Sequence, residues 1–146
     1  MAQMKYRNLD IGDYDGVMAL WRNCSGVSLR DADSREGIDV YLRRNPGLSF
    51  VAEQGSEIVA TIMAGHDGKR GYIQHLAVND NLRGQGIGSQ LVELCLAALK
   101  REGIVKSHVH VLHDNTLGRD FWIRRDWFQR SEIVMYSYIN GDNVNA

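Results

Sequence analysis

Apolar residues along this chain recur at helical spacing in some stretches and gather into short strand-like runs in others, and turn residues separate the two. Met4–Arg7 is a short strand candidate. Val17, Leu20, Trp21 and Cys24 then recur at the spacing of one helix face, with Asp13 placed to cap the helix. Gly26–Asp33 is a polar loop, after which Ser34 or Asp33 caps a second helix carrying Ile38, Tyr41 and Leu42. That helix ends near Asn45, because Pro46 disfavours helical geometry in the residue before it and Gly47 follows.

Strands come next. Leu48–Glu53 and Glu57–His66, joined by Gln54-Gly55-Ser56, read as a pair. The turn Asp67–Gly71 leads into Tyr72–Val78. Short turns make these three strands antiparallel neighbours. Ile87, Leu91, Leu94, Cys95 and Ala98 then keep helical spacing up to Gly103. Ile104–Leu112 is a strand, Asn115–Arg124 a short helix, and Phe128 with Ile133–Ile139 a last strand or hairpin. The order β-αα-βββ-α-β-α-β predicts an α/β (α+β) fold with a mixed, mostly antiparallel sheet flanked by helices. A long helix between Tyr72–Val78 and Ile104–Leu112 makes those two strands parallel. One domain is expected over residues 1–140, with a polar, frayed tail over 141–146.

Composition narrows the function classes. A net charge of −1 leaves no broad positive field for nucleic acid or an anionic membrane. An anionic ligand must therefore be held locally. Cys24 and Cys95 sit on apolar helix faces, where a free thiol acts as a small hydrophobe. No signal-peptide pattern or membrane span is visible, so a cytoplasmic protein is expected.

The local anion holder is legible between Asn81 and Ser89. Gly84, Gly86 and Gly88 let the backbone turn sharply at the start of a helix whose first N–H groups lack partners. The dinucleotide fingerprint fails at Ser89, and no Gly-Lys-Ser/Thr follows to make a Walker loop. By itself the segment could be a plain glycine-rich turn.

Ile73-Gln74-His75-Leu76-Ala77-Val78, then Arg83-Gly84-Gln85-Gly86-Ile87-Gly88, resembles the acetyl-CoA motif of the GNAT superfamily of N-acetyltransferases, and the likeness in element order covers nearly the whole chain. The resemblance implies that Leu76, Ala77 and Val78 offer backbone groups to the pantetheine arm, as to an added strand. It implies that N–H groups from Gln85 to Ser89, those of Gly86, Ile87 and Gly88 among them, hold the pyrophosphate with Arg83 and Gly84 nearby. It places Asn115 and the following helix beside the pantetheine and the thioester sulfur, in a wedge where Tyr72–Val78 and Ile104–Leu112 splay apart.

Acetyl transfer requires a neutral amine, and a lysine-like amine with a pKa near about 10.4 needs a base far more than an α-amine near about 7.7–8.0. The resemblance implies Tyr72 and Gln74 on the substrate side, and His110, five residues before Asn115, at a frequent base position. Imidazoles titrate near about 6.5, which suits proton acceptance at neutral pH. Tyr72 can relay a proton or touch substrate; Gln74 can only orient. The family often has Tyr seven residues after the Asn, where this chain has Trp122, which can pack on the cofactor arm but is no acid. Asp126-Trp127-Phe128 replaces the usual Gly-Phe ending.

No metal is expected, because His108, His110 and His113 lack further ligands nearby. Arg124-Arg125 and Lys100-Arg101 are solvated helix ends or contacts to the adenosine 3′-phosphate. The implied partner is a small-molecule or peptide amine, and a homodimer is possible. Arg30, Asp31 and Asp33 are polar candidates for gripping that amine. The alternative is a non-catalytic acyl-CoA-binding or regulatory module on the same fold.

Overall fold

The structure, a computed structural model, describes residues 3–146. Its strands are β1 (Met4–Asn8), β2 (Phe50–Gln54), β3 (Glu57–His66), β4 (Gly71–Val78) and β5 (Ser107–Val109), ordered 1-2-3-4-5 in one sheet. All neighbouring pairs are antiparallel except β4–β5, which is parallel. The helices are α1 (Tyr14–Arg22), α2 (Arg35–Arg44), α3 (Ile87–Arg101) and α4 (Thr116–Ile123). Among the described residues, no helix is long and apolar enough to cross a membrane.

Period-two alternation in β2 and β3 builds two cores, one on each side of the sheet. Phe50, Ala60 and Ile62 face α3 and α4, where Leu91, Cys95, Leu99 and Trp122 close over them. Val51 and Met63 face α1 and α2, covered by Val17, Trp21 and Ile38. Both cysteines are free and buried, and burial pushes the Cys95 thiol up to about 12.

Several local features differ from the sequence expectation. Asp13 does not cap α1 with its side chain: Asp10 caps a preceding 3-10 turn, and the Asp13 carboxylate takes the Asp10 N–H and the Arg7 guanidinium. Cys24 lies just beyond α1 rather than on it. β5 spans Ser107–Val109, not Ile104–Leu112, because β4 pairs with it over three residues only. The last strand over Ile133–Ile139 does not form; without a ladder beyond β5, this apolar run is irregular and exposed. The tail is tied down rather than frayed: Asn143 and Asn145 donate to Asp31 at 2.8 and 2.6 Å.

Arg7 links three elements. Its guanidinium holds Asp13 through two bonds of 2.8 Å and reaches Glu53 on β2 at 3.1 Å. The Arg7 hydrogen bonds hold the Asp13 carboxyl below the usual carboxylate range. A depressed folded-state pKa stabilises the fold above the unfolded value near about 3.9, and this is lost as pH falls through the folded value. Arg7→Gln is expected to lower stability at pH 7 by about 1–3 kcal/mol and to flatten the acid limb, read as urea midpoint against pH.

Candidate functional site

The site begins where β4 loses its neighbour. Toward β3, β4 stays paired up to Val78. Toward β5, pairing ends at Ile73↔Val109. Among the described residues, Gln74 to Val78 therefore have no strand on that side.

A bulge lies at the parting point. The β3–β4 register shifts between Thr61 and Met63, and His75 has φ 51°, a left-handed conformation that stores strain of order 1–3 kcal/mol in a non-glycine residue. Gln74 and His75 consequently both face α1 and α2, while Ile73 and Leu76 face α3. A buried network holds the bulge. Trp21 Nε1 donates to Thr61 Oγ1 at 2.8 Å, and Thr61 donates to the His75 carbonyl at 3.0 Å. His75 Nε2 meets Asp33 Oδ1 at 2.7 Å, and the Trp21 ring stands edge-on to the imidazole at 4.8 Å. Burial opposes ionisation of Asp33, but His75 and the Arg30 N–H together hold its carboxyl below the usual range.

The glycine-rich loop opens α3 beside the parted strands. Gly84 and Gly86 have φ of 80° and 83°, and a Cβ on either would meet nothing within 4 Å. No side chain caps Gly86, so the N–H groups of Ile87, Gly88 and Ser89 point out of the helix unclaimed by its own ladder. Gly88 is small for a different reason: a Cβ there would lie 3.1 Å from the Phe121 ring. Arg125 stacks on that ring at 3.6 Å and donates through Nε and Nη2 to Ser89 Oγ, bringing a guanidinium to the first turn of α3.

On the opposite face of the sheet, a groove runs between α2 and β4. It comprises a cavity of about 600 Å³ and a smaller one of about 230 Å³, both bordered by Tyr41, Arg44 and Gln74. Tyr72 borders the smaller one, and its ring lies 5.8 Å from His108, its partner across the β4–β5 register. Partial burial, then Arg130, Lys106 and Arg70, hold His108 below the usual histidine range, so it is neutral at pH 7.

Leu76, Ala77 and Val78 lie on the open stretch of β4, and His110 is exposed just past β5. Gly84 to Ser89 form the loop and first turn described above. Arg83 is paired with Asp80 at 2.9 Å. Asn115 caps α4 by accepting from the Gly118 N–H at 3.0 Å. Trp122 is buried in the core against Phe121 and Trp127, and it is Phe121 that reaches the loop. Asp126 adopts φ 66°, so it fills the left-handed helix end usually left to glycine.

The sequence alone does not disclose the Asp33–His75 pair, Arg125 on Ser89, or Tyr41 and Arg44 at the groove. The polar residues of an otherwise apolar strand, Gln74 and His75, were the only available signal, because two successive polar residues break strand alternation. Arg44 has no distinguishing signal beyond its place at a helix end.

The sequence profile of the GNAT acetyltransferase family matches residues 14–126. The chain belongs to the GNAT acetyltransferase family. An acetyltransferase of Pectobacterium atrosepticum is 35% identical over 112 residues, covering 77% of this chain and 79% of that protein. The crystal structure of an acetyltransferase with acetyl-CoA from Clostridium acetobutylicum is similar with a TM-score of 0.75 at 18% identity, covering 92% and 96% of the two chains. That of PaiA N-acetyltransferase from Thermoplasma acidophilum with coenzyme A gives 0.74 at 18%, covering 84% and 88%. This GNAT protein is thus an acetyltransferase, and nothing in these likenesses favours a non-catalytic module.

Gly86→Val and Gly88→Val are each expected to weaken coenzyme A binding by about tenfold or more, measured calorimetrically. The causes differ, so Phe121→Leu should partly restore Gly88→Val and leave Gly86→Val unaided.

Proposed function

We propose that this GNAT protein is an N-acetyltransferase whose acceptor amine lies in the groove between α2 and β4. The supporting observation is a convergence: the open edge of β4 and the groove meet at Gln74, so a donor on one side and an acceptor on the other approach the same stretch of strand. Acetyl-CoA supplies an activated acetyl group on a thiol that titrates near about 8.5, a comparatively stable leaving group.

The chain's own residues do the rest. Ile87, Gly88 and Ser89 offer N–H groups to the pyrophosphate, with Arg125 adding charge; Arg83 joins by exchanging Asp80 for phosphate. The unpaired groups of Leu76, Ala77 and Val78 hold the pantetheine, and Asn115 at the start of α4 flanks it. Trp122 supports that wall from inside by fixing Phe121. Tyr72 and His110 handle the amine proton, with neutral His108 beside Tyr72 as a second acceptor.

Two features of the surroundings complete the reading. The buried free thiols of Cys24 and Cys95 suit a reducing, cytoplasmic setting. A homodimer is supported by the exposed run from Ile133 to Ile139, an apolar segment with no strand partner among the described residues.

Thiol release from acetyl-CoA with a panel of amines tests the reaction; coenzyme A binding without turnover on any amine would defeat it. Tyr72→Phe and His110→Ala are expected to lower kcat/KM by about tenfold or more for lysine-like amines and by less for α-amines. Light scattering should give a mass near twice 16.5 kDa, and removal of residues 132–146 should return it to one copy.

A further inference from the structure

The groove carries charge in an ordered way. In the smaller cavity, most polar side chains are already engaged. Asn45 donates to the Tyr41 carbonyl at 3.3 Å and accepts the His66 N–H at 3.2 Å. His66 uses both ring nitrogens, Nε2 with Glu102 and Nδ1 with the Gly68 N–H, each at 3.0 Å. Asp67 Oδ1 accepts the Lys69 and Arg70 N–H groups at 2.8 Å.

What remains unspent converges where the two cavities meet. Arg44 makes no hydrogen bond or ion pair among the described residues. The Tyr41 hydroxyl is buried without a hydrogen bond of ordinary geometry. Burial pushes its pKa up to about 12, with the Gln74 amide acting the other way, so it is a proton donor at any working pH. Gln74 borders both cavities. A guanidinium, a buried phenol and an amide that border the same two cavities form a donor set for an anion. An unsatisfied buried hydroxyl is costly unless a ligand completes it.

The far end of the larger cavity has the opposite character. Asp33, ionised on His75, and Glu36, which has no partner among the described residues, border it. That end adjoins the bulge where β4 opens.

We infer that the acceptor is an amine that also carries an anionic group, an amino acid or short peptide in kind: Arg44, Tyr41 and Gln74 grip its carboxylate, and its amine lies toward Tyr72 on β4. This rests on the groove being the acceptor site. It excludes, as preferred acceptors, polyamines and lysine side chains of proteins, which bring no anion to Arg44.

The test compares matched amines with acetyl-CoA: alanine against alaninamide, dialanine against its C-terminal amide, and phosphoethanolamine against ethanolamine. The wild type should favour the anionic member by about tenfold or more in kcat/KM. Arg44→Met should reduce that ratio to near one, mainly through KM, with Arg44→Lys between. Tyr41→Phe should lower the ratio several-fold. A merely structural role for either residue would lower both members together and leave the ratio intact. A preference confined to the phosphate pair would keep the anion site and assign it to phosphate. Equal rates on charged and neutral partners, or a ratio untouched by Arg44→Met, would overturn the inference. If no amine is acetylated, calorimetry with N-acetylalanine in the presence of coenzyme A still decides: binding lost in Arg44→Met sustains the anion site while the transfer reading fails, and no binding to the wild type sinks both.

Discussion

A carboxylate and an imidazole 42 residues apart in sequence hold the geometry on which this protein turns. Asp33 meets His75 at 2.7 Å in a setting closed by Trp21 and Thr61. Without that contact His75 has little reason to remain at φ 51°, a conformation that a side-chain-bearing residue leaves readily. The bulge it maintains has two effects. It turns Gln74 and His75 toward the same face, and it coincides with the place where β4 separates from β5. The opening for a donor and the wall for an acceptor are thus two results of one distortion, stabilised by a polar network that is itself nearly dry.

The glycine-rich loop obeys a different logic on the other side of the sheet. Gly84 and Gly86 are needed for backbone shape, with open space around them, whereas Gly88 is needed because α4 packs against it through Phe121. Arg125 uses the same ring as a platform and reaches Ser89 from it. One aromatic side chain therefore sets the distance between two helices and brings a cation to the first turn of α3 in a chain of net charge −1.

Much of this was legible beforehand, for identifiable reasons. Helical spacing located α1, α2 and α3, and Ser34 and Gly103 marked boundaries through ordinary caps. Short turns dictated the antiparallel meander, and the long crossover dictated the parallel β4–β5 pair. The loop was visible because glycine spacing encodes backbone conformation locally. What stayed hidden was non-local. Asp33 reads as a loop residue until folding brings it under β4. Arg125 reads as a helix-end cation until α4 docks on α3. Ile133–Ile139 has the composition of a strand, but composition does not supply a neighbour, and the chain itself provides only three residues of β5 edge. Asp13 looked like a cap because its competitor, Arg7, lies on another element.

Asn45 and Gly65 fasten the end of α2 to β3. The Asn45 amide bridges Tyr41 and His66, and a Cβ on Gly65 would lie 2.7 Å from it, so the two positions work only as a pair. Arg44 stands one residue before this fastening and takes no part in it. The anchor and the reading head thus occupy consecutive positions on one helical turn, yet answer to separate demands. Evolution can exchange the residue at 44, and with it the kind of molecule accepted, while 45 and 65 keep the mounting unchanged: a modular division inside a domain too small to have modules.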